Sequence, residues 1–103
     1  MTAHLFIMYP TPKDPTQFDR AYREQHLPYA GPRLMGATSV VSKRVAGPEG
    51  AAYYAISDVS FPSLEALQAC AGSQSGQEAI AHAAAISTGG APVVLVVTDD
   101  LAG

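Results

Sequence analysis

The 103 residues carry six Lys and Arg against nine Asp and Glu, so the net charge is 6 − 9 = −3, and 48% of them are hydrophobic while only 15% are charged; this fits one globular domain with surplus apolar surface, such as a subunit interface. All six bases and three acids lie in residues 1–44 (6 − 3 = +3), and six acids without a base lie in 45–103 (−6); no basic cluster is dense enough for a nucleic-acid footprint. No apolar run reaches the roughly 18 residues of a membrane span, no charged start leads into an apolar core as in a signal peptide, and the single Cys70 excludes an intrachain disulfide framework and fits a cytoplasmic setting.

Residues 3–9, Ala-His-Leu-Phe-Ile-Met-Tyr, predict a strand that stops at Pro10. Nearly every position is apolar, so both faces read as buried. A proline-stiffened loop follows, then a helix from about Pro15 to His26. Asp14 is its expected N-cap, Pro15 its first residue, and Gln17 stands three positions after the cap. Pro28 should end it by pushing Leu27 out of the α region. Within it Phe18, Tyr22 and His26 recur every four residues and share one face. Residues 28–37 contain two prolines and two glycines and read as irregular chain.

Thr38 to Val45 is rich in β-branched residues and predicts a second strand. Gly47-Pro48-Glu49-Gly50 is a turn, and Tyr53 to Phe61 reads as a third strand, antiparallel to the second. Ser63 to Ala71 has helical spacing, with Gly72 at the expected C-terminal cap. Ser73 or Ser75 can cap another helix, on which Ile80, Ala83 and Ala84 should face inward. Pro92 to Thr98 reads as a last strand, again apolar on both faces, and the tail from Asp99 reads as loose.

The order β-α-β-β-α-β is the ferredoxin-like split βαβ arrangement of α+β class, in a single domain spanning 1–103. Its helices cover one face of a four-stranded antiparallel sheet. Strands apolar on both sides therefore predict a homodimer that stacks the open faces.

His26 is the strongest catalytic candidate. An imidazole exchanges protons near neutrality, since its ordinary pKa is about 6.5. Tyr22, one turn earlier, can orient a carbonyl or phenol. The same two residues can instead be structural, His26 locking the loop at 28–36 and Tyr22 filling the core. Asp19 can pair with Arg23 on the helix surface, or meet the bases of the second strand. Lys43 and Arg44 point to opposite strand faces, so one can reach a cavity and an acidic or enolate-like ligand; Tyr53 and Tyr54 divide in the same way. His4 and His82 stand alone in sequence, and their default is packing or surface. The histidine spacing matches no zinc pattern, so no metal is expected. Neither a G-x-G-x-x-G nor a P-loop in its strand-to-helix context is present.

The chain resembles the EthD family, named for ethyl tert-butyl ether degradation, within the dimeric α+β barrel superfamily. The resemblance is carried by Tyr9-Pro10, by Phe18-Asp19, Tyr22, His26 and Pro28, by Phe61 with Ser63-Leu64-Glu65-Ala66-Leu67, by Ser73 with Gly76-Gln77, and by Gly89-Gly90. It departs from the family pattern at Tyr29, where Leu is usual, at Pro62 and His82, where Asp is common, and at Ile86, often aromatic. The resemblance implies a cofactor-free enzyme of isomerase, dehydratase or monooxygenase type. Its substrate would be a compact apolar carbonyl or phenolic compound from a catabolic or secondary-metabolite pathway. It equally admits a carrier that delivers an apolar ligand to a partner oxidase. His26 and Tyr22 are the expected catalytic residues, with Phe18, Tyr53, Tyr54, Lys43 and Arg44 on the ligand.

Overall fold

The computed structural model describes residues 2–102, so the two end residues of the expected 1–103 domain lie outside the described part. Strand β1 (Ala3–Pro10) leads to helix α1 (Pro15–Ala21), a π turn (Tyr22–His26), helix α2 (Leu27–Ala30) and a 3₁₀ turn (Gly31–Arg33). Strands β2 (Ser39–Arg44) and β3 (Tyr53–Phe61), helices α3 (Leu64–Gly72) and α4 (Gln74–Ile86) and strand β4 (Val93–Thr98) complete it. The sheet runs β2-β3-β1-β4, and every neighbouring pair is antiparallel. This is the ferredoxin-like fold expected from the element order.

Helix α1 starts as its sequence dictates: the Asp14 carboxylate accepts the Gln17 N–H at 3.2 Å. Its end corrects the expectation. Pro28 does not stop the helix, and Leu27 keeps φ −59°, ψ −45°. The Leu27 N–H bonds the Tyr22 carbonyl, five residues back. This wider turn moves the carbonyls away from the proline ring and changes the bonding register just where the proline N–H is missing. Of residues 28–37, expected to be irregular, the stretch 28–33 is therefore helical.

Helices α3 and α4 meet at one serine. Ser63 caps α3 by accepting the Ala66 N–H at 3.1 Å. Gly72 is the last residue of α3 rather than its cap; Ser73 closes α3 and opens α4. Its hydroxyl donates to the Cys70 carbonyl at 2.6 Å and accepts the Gly76 N–H at 3.0 Å. On α4 the buried residues are Gly76, Ala79 and Ala83, while Ala84, expected inside, is exposed.

Ala3, Leu5, Ile7 and Tyr9 of β1 point under the helices and are buried with Val59, Phe61, Phe18 and Leu67. His4, Phe6 and Met8 face the other way and are half-buried. By register that uncovered face continues through Val41, Asp58 and Leu95. Val41 is 46% and Leu95 43% exposed, an apolar surface open to solvent.

The open face is more polar than the sequence pattern implies. His4, expected to stand alone, bridges Asp58 at 2.8 Å and Asp99 at 3.1 Å, and Lys43 lies 3.9 Å from Asp58. The Asp58 hydrogen bond, then that of Asp99, raises the His4 pKa. The stabilisation is thus present below the ordinary histidine pKa and lost as pH rises through the raised one.

Candidate functional site

The π turn sets the wall of the site. Four residues overshoot an α-helical turn of about 3.6, so a plain helix would carry His26 round and away from Phe18. The wider turn offsets that drift. Phe18 and Tyr22 stack at 5.9 Å between ring centres, and Tyr22 and His26 follow at 5.5 Å. Tyr9 of β1 packs edge-on against both Phe18 (5.1 Å) and Tyr22 (5.8 Å). All three helix residues face the sheet, and His26 is only 3% exposed.

The row continues through a residue that sequence reading left isolated. His82 of α4 lies parallel to His26, with 5.2 Å between ring centres and 2.9 Å between the two Nδ1 atoms. In a neutral pair one ring donates its Nδ1–H to the other. Tyr29 stacks on His82 at 4.5 Å, and the Arg33 guanidinium sits 3.6 Å above the Tyr29 ring. Arg33 also donates to the Tyr29 carbonyl at 2.8 Å and lies 3.5 Å from Glu78. His82 sits three residues after the buried Ala79. Reading α4 on its Gly76–Ala79–Ala83 face would have brought it to the inner side.

Two cavities adjoin this row. The inner one, about 280 Å³, is lined by His26 and Ser57 among apolar residues that include Ile7, Leu34, Val40 and Val59. The outer one, about 320 Å³, is lined by Phe18, Asp19, Tyr22, Arg23, Lys43 and Arg44, among others. Leu27 and Ser42 line both. The Tyr22 hydroxyl joins the two by hydrogen bonds to Ser42 (2.6 Å) and to the buried Ser57 (2.7 Å). Neither serine figured in the sequence reading, because each matters only through its distance to Tyr22.

The remaining candidates divide. Lys43 and Arg44 both line the outer cavity despite their opposite strand faces, since β2 is the sheet edge. Tyr54 stands beside it, donating to Asp19 at 2.9 Å and bonded to Arg44. Tyr53 lines neither cavity. Asp19 pairs with Arg44 at 3.0 Å rather than with Arg23, because it reaches over the sheet edge. Among the described residues no group of three or more His, Cys, Asp or Glu side chains is arranged to hold a metal ion.

Burial, and secondarily the neighbouring His82, lowers the His26 pKa to about 4, so its imidazole is neutral at pH 7. Burial also holds the Tyr9 phenol well above its usual range. The His26 shift predicts acid sensitivity. Between pH 6.5 and about 4 the unfolded chain binds the proton that the fold refuses. Stability present above that window should fall by roughly 3 kcal/mol across it. Urea unfolding at pH 7 and pH 4 checks this. The loss should shrink in His26→Gln, and an equal loss in both proteins would refute the assignment to His26.

The family model described as the EthD domain matches residues 10–85. Among curated proteins, none matches the sequence. Of the solved structures, an ethyl tert-butyl ether degradation family protein from Bacillus halodurans C-125 superposes with a TM-score of 0.81 at 20% identity, covering 96% of this chain and 99% of its own. A dimeric ferredoxin-like protein of unknown function from Jannaschia sp. CCS1 has a TM-score of 0.62 at 20% identity, covering 94% and 97%. A Caulobacter crescentus CB15 protein with a proposed role as an antibiotic biosynthesis monooxygenase has a TM-score of 0.59 at 18% identity, covering 93% and 86%. At such identities these likenesses speak for the fold.

Proposed function

From the premise that this chain belongs to the EthD family, we propose that it is an enzyme that moves a proton on a compact apolar carbonyl or phenolic compound, using its own side chains. The observation that carries this reading is the His26–His82 contact of 2.9 Å beside an apolar cavity of about 280 Å³. His82 occupies Nδ1 of His26 and fixes its ring, which leaves Nε2 to meet a ligand. A neutral imidazole in a mostly apolar cavity is a base with few competing partners. Nε2 takes a proton from the carbon beside the carbonyl, or from the phenol. Tyr22 steadies the oxygen, and Ser42 and Ser57 hold its hydroxyl in position. The proton leaves from Nδ1 through His82, which is only half-buried. Isomerisation, dehydration and cofactor-free oxygenation can all begin with this step, and the role proposed for the Caulobacter neighbour is a monooxygenase. A cytoplasmic setting fits the free, buried Cys70.

The test is exchange. β-Tetralone, a compact ketone with acidic α-hydrogens, is incubated with the protein in deuterium oxide and followed by proton NMR. The α-hydrogens should exchange faster than in buffer alone. Equal rates with and without protein would sink the enzymatic reading.

The working unit in this proposal is a homodimer with the open sheet faces stacked, as surface of the Val41 and Leu95 kind requires cover. Sedimentation should find a dimer at micromolar concentration, and Val41→Lys combined with Leu95→Lys should yield a folded monomer. A wild-type monomer would overturn the proposal.

A further inference from the structure

We propose that the ligand is an organic carboxylate, with its carbonyl or phenolic body toward His26 and its anionic end in the outer cavity on Arg23 and Arg44. The proposal rests on the reading that the two adjoining cavities form one ligand site, and it adds the charge class of the ligand.

The outer cavity gathers two guanidinium side chains, Arg23 and Arg44, and one acid, Asp19, a local charge of 2 − 1 = +1. The whole chain carries −3, so this is a local excess against the general balance. The single acid is already committed: Asp19 lies 3.0 Å from Arg44 and accepts from Tyr54 at 2.9 and 3.1 Å. The Lys43 ammonium lies on the open sheet face, 3.9 Å from Asp58, and does not count toward this cavity's charge. Arg23 has no carboxylate partner among the described residues. The Arg23 guanidinium thus lines a cavity of about 320 Å³ with unspent charge. An arginine fork matches the planar, two-oxygen geometry of a carboxylate.

The polarity changes along the site in the sense such a ligand requires. The inner cavity offers Ile7, Leu34, Val40 and Val59 with His26 and Ser57. Ser42, on the shared wall, holds the Tyr22 hydroxyl at 2.6 Å. Beyond it lie the cations. A neutral apolar ligand would use the inner end and leave the outer charges unpaired, whereas an aromatic or keto acid satisfies both ends. The local positive field also attracts anions from solution, an effect that added salt weakens.

Two probes that differ in charge alone test this: para-hydroxybenzoate and para-hydroxybenzamide, titrated against the wild-type protein by calorimetry at low salt. The carboxylate should bind about tenfold tighter than the amide, and salt should erode that margin. In Arg23→Gln the margin should collapse while the amide still binds. Equal affinities, failure of both probes to bind, or a margin that persists in Arg23→Gln would each overturn the proposal. Binding alone reads the preference. A wild-type protein that shows the preference but no exchange of β-tetralone would end the enzymatic reading and leave the anion site standing.

Discussion

His26→Ala should slow protein-catalysed exchange of the β-tetralone α-hydrogens by about 10²–10⁴-fold, the usual worth of a positioned general acid or base. The substitution removes the imidazole of the inner cavity, and Tyr22 cannot replace it, because its hydroxyl is engaged with Ser42 and Ser57. The pH profile carries the same signature. A base whose pKa is lowered to about 4 stays neutral through the neutral range. Exchange should therefore persist down to about pH 5 and fall as His26 protonates near pH 4. A free histidine would lose its activity below about pH 6.5 instead. Far-UV circular dichroism and sedimentation should match the wild type. Should the alanine variant unfold, His26→Gln decides the matter: glutamine fills the site and can still bond His82, yet takes up no proton at these pH values. A glutamine variant that exchanges at the wild-type rate would show that the histidine is structural, and a carrier role would then be the better account of the pocket.

Gly76→Ala should be among the most damaging single-methyl changes in the protein. A Cβ at position 76 would lie 1.9 Å from the Cys70 carbonyl oxygen and 2.8 Å from its carbon. The close approach comes from Ser73, which ends α3 and starts α4 with one hydroxyl. Both atoms in the way are backbone, so no side chain can swing aside to make room. The junction would have to open, breaking the Ser73 bonds and shifting Ala79 and Ala83 out of the core. A cost of about 3 kcal/mol or more is expected, the upper end for overpacking. For a domain of this size that lowers the melting temperature by more than roughly 10 °C. Thermal unfolding by circular dichroism measures it, and a shift within a degree or two would contradict the geometry. Because α4 carries His82, the variant should also loosen the His26 site. Gly72→Ala, four residues earlier and with open space around it, is the control and should change little.

Much of the fold was legible because its signals are local. Asp14, Ser63 and Ser73 announce helix starts through bonds to N–H groups three residues on. The β-branched and apolar runs marked all four strands, and their order with the helices left one economical topology. The four-residue spacing of Phe18, Tyr22 and His26 placed the wall of the site on the sheet side. Pro28 misled because its usual effect assumes α-helical bonding, and the π turn before it had no local announcement.

What the chain alone decided was thus the set of elements, their order and the inward face of the first helix, since capping and periodicity act within one helical turn or along one strand. Tertiary structure decided which groups meet. His26 and His82 are 56 residues apart, and their Nδ1 atoms come within 2.9 Å only because α4 docks beside the π turn. Tyr22 finds Ser57 across 35 residues, and Asp19 turns from its own helix to Arg44 at the sheet edge. Side-chain partnership is a matter of distance in space. A sequence reports that distance only for residues within a turn or a strand pair of one another, so the pocket wall was visible in advance, the bases of the second strand were visible only as an open choice between Lys43 and Arg44, and the histidine pair was not visible at all.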